Sequence, residues 1–233
     1  MPTDKKSNIH DLEGLRNRTG VFADRREAGS VLAEMMACLS VEDGLVLAIP
    51  AGAVPVATVV AGRLDLPLEV AAVSKITPSW NTEVGYGAVA WDGTEVINHR
   101  LAARMGVDEQ EVARGRAAGL EKVHRRVSLL RGGRAMPDLA GRTVVLIDDG
   151  IASGVTVRCA IDAIRRLGAS QIILAAPTAH SDSLAALARK VSAVYCPNVR
   201  SGWSFAVADA YRHWRDVGDE EAAAILARSR RRE

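Results

Sequence analysis

The stretch Val144-Val-Leu-Ile-Asp-Asp-Gly-Ile-Ala-Ser-Gly-Val-Thr156 decides the fold. Val144 to Ile147 is short, aliphatic and free of polar residues, as a central strand of a parallel sheet is. Asp148 and Asp149 follow at the carboxyl end of that strand, the edge where open α/β sheets take their ligands. The small side chains from Gly150 to Thr156 let several backbone N–H groups converge on one anion. The amphipathic segment Val157 to Leu167 then brings the positive end of a helix dipole to the same place. Ser153 and Thr156 add hydroxyl donors. Such a cup suits a phosphate, whereas two adjacent carboxylates suit sugar hydroxyls or a divalent metal.

Spacing argues against three phosphate-site patterns, of which the phosphatase stays as a third, weaker reading. A nucleotide P-loop needs Lys after its second glycine, and Val155 follows Gly154. A dinucleotide fingerprint needs G-x-G-x-x-G, which Gly150 and Gly154 do not provide. An aspartyl-phosphate phosphatase wants acids two residues apart, but Gly150 stands two after Asp148. A plain strand-to-helix turn capped by a solvated Asp pair remains the alternative.

Outward from the motif, the chain reads as further strand-loop-helix units. Leu45 to Ile49 is a core strand, Pro50-Ala-Gly-Ala-Val-Pro55 a second small-residue loop, and Val56 to Leu64 a helix. Leu68 to Val73 is the next strand, with Lys75 just beyond its carboxyl end. Upstream, Phe22 to Met36 has helical spacing with an Asp near its start, and Arg25 and Arg26 are expected to be solvated. Residues 1–20 read as a polar arm preceding one domain, 21–233. Trp80 to Asp92 and Thr94 to Asn98 suggest a hairpin turning at Asp92-Gly93. Asp108 to Leu130 is a long polar helix stopping near Gly132-Gly133. The insertion, residues 76–135, is too long for a mere connection and suits a lid, with 76–115 as its moving part, or a homodimer contact. Gln171 to Ala176 and Ala193 to Cys196 complete the strands, with the helix Ser181 to Val191 between them. In the tail, 197–233, Trp203, Phe205, Tyr211 and Trp214 form a hood that either covers the ligand edge or packs on itself. Asp219 to Ala227 is a closing helix.

Composition sets the bounds. Among 233 residues 48% are apolar, enough for the core of one α/β domain, and 25% are charged. A net charge of +2 with interspersed signs gives no case for nucleic acid or a membrane surface. Cys38, Cys159 and Cys196 have no metal-ligand spacing and read as reduced thiols of a cytoplasmic protein. No apolar run reaches membrane length.

All thirteen positions from Val144 to Thr156 fit the phosphoribosyl-pyrophosphate (PRPP) signature of type I phosphoribosyltransferases. The resemblance extends through Leu47-Ala-Ile-Pro-Ala-Gly-Ala-Val-Pro-Val-Ala57, Ser74-Lys-Ile-Thr-Pro-Ser-Trp-Asn-Thr-Glu83, Gly87-Ala-Val89 and Asp138-Leu-Ala-Gly-Arg-Thr143. Their order is similar to that in a bacterial and archaeal branch of the family whose substrates are unassigned. The resemblance implies a parallel sheet flanked by helices, with an inserted lid or hairpin and a C-terminal hood. It implies that Ala51-Gly52-Ala53 holds pyrophosphate and that Asp148 and Asp149 bind the ribose hydroxyls and, directly or through water, Mg²⁺. Gly150, Ile151, Ala152, Ser153, Gly154, Val155 and Thr156 would hold the 5′-phosphate, and Lys75 would lie near pyrophosphate. The implied reaction transfers phosphoribosyl from Mg²⁺-PRPP to a nucleobase or another nitrogen acceptor.

Three departures stand out. Relatives in this branch carry Arg at the position of Ala51 and a basic residue at that of Ser74. Purine-salvage members carry an acid at that of Ala152. Lys75 is then the one cation expected at the pyrophosphate end apart from the lid. A protein that binds PRPP without turning it over is the rival reading.

Overall fold

The computed structural model describes residues 8–81 and 84–230. Residues 1–7 of the expected arm, Thr82 and Glu83, and 231–233 lie outside the described residues. A parallel sheet is built from β1 (Ile9–His10), β2 (Gly44–Ala48), β3 (Leu68–Val70), β7 (Thr143–Ile147), β8 (Gln171–Ala175) and β10 (Ala193–Tyr195), in the order β1-β10-β8-β7-β2-β3. A second sheet, antiparallel, is formed by β4 (Val73–Ile76), β5 (Gly87–Ala90) and β6 (Glu95–Ile97). β9 (Thr178–His180) and β11 (Asn198–Arg200) make a short parallel pair. The helices are α1 (Arg25–Met35), α2 (Ala53–Leu64), α3 (His99–Arg104), α4 (Glu109–Arg131), α5 (Val155–Arg166), α6 (Ser181–Ala188) and α7 (Asp219–Ser229).

Alternation along the strands sends side chains to two cores. Leu45, Leu47, Val144, Leu146, Ile172 and Leu174 pack with Val157, Ala160, Ile161 and Ile164 of α5. Val46, Ala48, Val145, Ile147 and Ile173 pack on the other face with α1, α2 and α7. Burial on both faces explains why these strands are continuous apolar runs. β2 and β7 are neighbours in full register, Gly44 opposite Thr143 and Ala48 opposite Ile147. From β2 the chain crosses through α2 to β3 on one side; from β7 it crosses through α5 to β8 on the other. Their carboxyl ends therefore diverge, leaving the crevice that such a switch point creates.

Two expectations are corrected. Residues 8–20 are not a free arm: β1 pairs in parallel with β10, and the Asn8 amide donates to the Ala188 and Val191 carbonyls at 2.9 and 3.0 Å. Pairing covers a sheet edge that would otherwise be open. The run Leu68 to Val73 is not one strand. It leaves the main sheet after Val70 and enters the antiparallel sheet at Val73, so Lys75 lies inside β4, opposite Ala88, rather than beyond a strand end. The run does not reveal a change of sheet, because each of its residues, Glu69 included, is buried either way.

The expected hairpin is present, tightened to β5 and β6 about the Asp92-Gly93 turn, where Asp92 accepts from Thr94. The long polar helix is α4, capped by Asp108 and ended by Gly132 at φ +61°. The closing helix is α7. None of the described helices is long and apolar enough to cross a membrane.

Candidate active site

A cleft of about 630 Å³ opens at the β2/β7 switch point. β7 delivers Asp148 and Asp149 to its floor, and the turn after them runs into α5. Gly154, at φ +71°, occupies the N-cap of that helix. Gly150, Ile151, Ala152, Ser153, Gly154 and Thr156 all line the cleft. Two of the expected residues behave otherwise. The Ile151 side chain is buried in the core, so only its backbone serves the loop, and Val155 does not line the cleft.

The loop after β2 meets the acidic pair directly. A Cβ on Gly52 would stand 2.1 Å from Asp149 Oδ2, so only glycine allows this approach. The peptide bond between Pro50 and Ala51 is cis. Of the expected trio only Gly52 lines the cleft; the Ala51 and Ala53 side chains are buried in the core beneath α2. Ala51 is therefore not a vacancy in the cleft, and an arginine there would start from inside the packed core.

The two carboxylates differ. Asp148 is buried, which together with the neighbouring Asp149 carboxyl holds its pKa well above the usual carboxylate range. Its Oδ1 accepts from the Asp149 N–H at 2.9 Å. Asp149 is paired with Arg25, whose Nε and Nη2 both lie 2.8 Å from Oδ2. Arg25 is thus not solvated. Asp24 caps α1 by accepting from the Arg26 and Glu27 N–H groups, which sets Arg25 on the first turn facing the cleft. Its Nη1 donates to the Arg215 carbonyl, and its guanidinium lies 3.9 Å from the centroid of the Trp214 ring.

The aromatic hood divides accordingly. Tyr211 buries its ring and donates to the Asp149 carbonyl at 2.5 Å; burial and the nearby Asp149 carboxylate raise its phenol well above the usual value. Trp214 lines the cleft. Phe205 packs against His180 and Arg200, while Trp203 is wholly exposed. Neither covering the ligand edge nor packing on itself describes all four.

Lys75 and Ser74 line the cleft, and the insertion 76–135 contributes further cations there. Lys122 and Arg126, both from α4, line the same wall. Arg126 pairs with Asp219 at 2.9 Å and donates to the carbonyls of Pro50 and Val73 at 3.2 and 3.4 Å. It thereby ties α4, α7, the Pro50 loop and the start of β4 together. The Lys122 ammonium is held below its ordinary pKa, first by desolvation and then by Arg126. The sequence did carry a signal for this face: Gly115, Gly119, Lys122 and Arg126 recur at helical spacing.

Among the described residues no group of three or more His, Cys, Asp or Glu side chains could hold a metal ion. Two adjacent carboxylates suit a different arrangement, in which Mg²⁺ keeps most of its waters and arrives on substrate phosphates.

The chain is similar to known proteins. Two Mycobacterium tuberculosis relatives, from strains H37Rv and CDC 1551, bear only provisional names as phosphoribosyl transferases. Each is 35% identical over 211 residues, which is 91% of this chain and 47% of the relative. The chain thus spans about half the length of the curated relatives it matches. The crystal structure of TT1426 from Thermus thermophilus is 33% identical, with a TM-score of 0.72 over 89% of this chain and 98% of that one. The phosphoribosyl transferase domain family matches residues 32–210, from α1 to the hood, and the chain belongs to that family.

Proposed function

We propose that the protein transfers 5-phosphoribosyl from Mg²⁺-bound PRPP to a nitrogen acceptor, a nucleobase or a related amine, and releases pyrophosphate. The observation that carries this reading is that the acidic pair, the loop from Gly150 to Thr156 and Gly52 all line one cleft at the switch point. In the reaction the acceptor nitrogen bonds to ribose C1 as the C1–O bond to pyrophosphate breaks, and the nitrogen's proton is released. The N-terminus of α5, with Ser153 and Thr156, binds the 5′-phosphate. Asp148 and Asp149 take the ribose hydroxyls and, through water, would hold Mg²⁺. Mg²⁺ supplies neutralisation of the pyrophosphate charge. Lys75 adds a charge-assisted contact at the same end. Segment 76–115 serves to exclude water, with Thr77 and Gly115 at the cleft wall.

Binding without turnover is the second reading. Ala152, exposed at the cleft, offers no acid to receive an acceptor's proton, and Asp149 is already engaged by Arg25. A panel of bases and amines with Mg²⁺-PRPP, followed by pyrophosphate release, separates the two. Release with any acceptor supports the transferase. PRPP binding without release under every acceptor supports the second reading, and failure to bind PRPP or ribose 5-phosphate removes both.

A further inference from the structure

The face that α4 turns toward the cleft changes character along its length. At Gly115 a Cβ would meet the Tyr86 hydroxyl at 2.6 Å and the Thr77 carbonyl at 2.9 Å; at Gly119 it would meet Val89 at 3.0 Å. The glycines let the helix backbone lie directly on β4 and β5. The same stripe continues as Lys122 and Arg126 where the helix passes along the cleft wall. The packing of the glycines therefore fixes the stretch of helix backbone that carries these two along the cleft wall, with Arg126 tied down by its own bonds and Lys122 exposed. The Arg126–Asp219 pair pins the helix further along.

The charges there do not balance. Arg126 is matched by Asp219, whereas among the described residues neither the Lys75 nor the Lys122 ammonium has a hydrogen-bonded or ion-paired partner. Desolvation, then Arg126 and, more weakly, Arg125 and Lys75 disfavour the charged form of Lys122, while Asp219 favours it. Two exposed ammonium groups without a hydrogen-bonded or ion-paired partner line one cleft with Pro50 and Gly52, an arrangement that suits a compact polyanion.

We propose that Lys122, acting with Lys75, binds the pyrophosphate end of the donor, so that the inserted helix supplies the charge that Ala51 and Ser74 do not. This rests on the phosphoribosyl-transfer reading. Because Lys122 projects from a helix already locked in place, the contact is present before any loop closes.

The test is calorimetric titration of the whole chain with Mg²⁺-PRPP, Mg²⁺-pyrophosphate and ribose 5-phosphate. It compares wild type, Lys122→Met and Lys122→Arg. Losing a contact to a charged group should weaken PRPP and pyrophosphate about tenfold or more in Lys122→Met. Ribose 5-phosphate, which lacks the pyrophosphate, should change by less than about twofold, and Lys122→Arg should restore most of the loss. If wild type binds all three and Lys122→Met leaves PRPP unchanged, the assignment to Lys122 falls while the transfer reading stands. Equal loss of all three ligands also overturns it, since that reports a distorted cleft. Wild type binding neither PRPP nor ribose 5-phosphate overturns the assignment together with the reading beneath it.

Discussion

Gly52→Ala probes the contact on which the site depends, the meeting of the Pro50 loop with the acidic pair. Gly52 sits at φ −59° and ψ −33°, dihedrals that alanine adopts freely. Taken alone, the substitution should stabilise by about 0.4–1 kcal/mol by restricting the unfolded chain. The new Cβ, however, would stand 2.1 Å from Asp149 Oδ2 and 2.7 Å from its Cγ. Asp149 cannot simply turn away, because Arg25 grips the same oxygen from the side of α1. Overpacking of this kind costs about 1–3 kcal/mol. In an Asp149→Ala background the colliding atoms are gone, so Gly52→Ala should become neutral or stabilising there. The unfolded-chain effect is common to both backgrounds and cancels, so the coupling between the two positions is the overpacking alone, about 1–3 kcal/mol. Urea unfolding of the four proteins measures it. Asp149→Ala alone leaves the Arg25 guanidinium short of its carboxylate, a loss of about 3–5 kcal/mol, so Gly52→Ala is compared within each background. Ribose 5-phosphate affinity should also fall in Gly52→Ala, because the carboxylate is displaced. Equal effects of Gly52→Ala in both backgrounds would refute the contact.

Three further outcomes are expected. Gly154→Ala should destabilise by about 1–2 kcal/mol, because Gly154 holds φ +71° and a Cβ would press on Leu187 at 3.0 Å; the displaced N–H groups should also lower ribose 5-phosphate affinity, and unfolding with calorimetry reads both. Asp148, its pKa raised chiefly by burial, ionises at lower pH in the unfolded chain than in the fold, so its contribution to stability is lost as pH rises above the ordinary carboxylate value. Asp148→Asn should therefore raise Tm at neutral pH, with the gain vanishing below about pH 4; an equal gain at every pH would contradict this. Cys38 is exposed, whereas burial pushes Cys159 up to about 12 and Cys196 higher still, so one thiol of the folded protein should react with a disulfide reagent at pH 8 and all three after unfolding.

By itself the sequence determined the parallel sheet, the two small-residue loops and the acidic pair. Each follows from local chemistry: a doubly buried strand must be an aliphatic run, and a turn that lets backbone approach an anion must be small. Helix ends were equally local, as Asp24, Asp108 and Gly132 mark theirs through caps within a few residues. Family resemblance then gave these pieces a common purpose.

Only the tertiary structure decided which charges meet. Arg25 looked like a solvated arginine in a packing helix, yet the fold brings it against Asp149, far along the chain. Ala51 looked like a missing cation, yet its side chain points into the core, while Lys122 and Arg126 arrive at the same cleft from the insertion. The run from Leu68 to Val73 hid a change of sheet, because both halves are buried. Strand and turn chemistry is written in neighbouring residues and so can be read along the chain. Ion pairing depends on where distant helices dock, and that is set by packing of the glycines and cores between them.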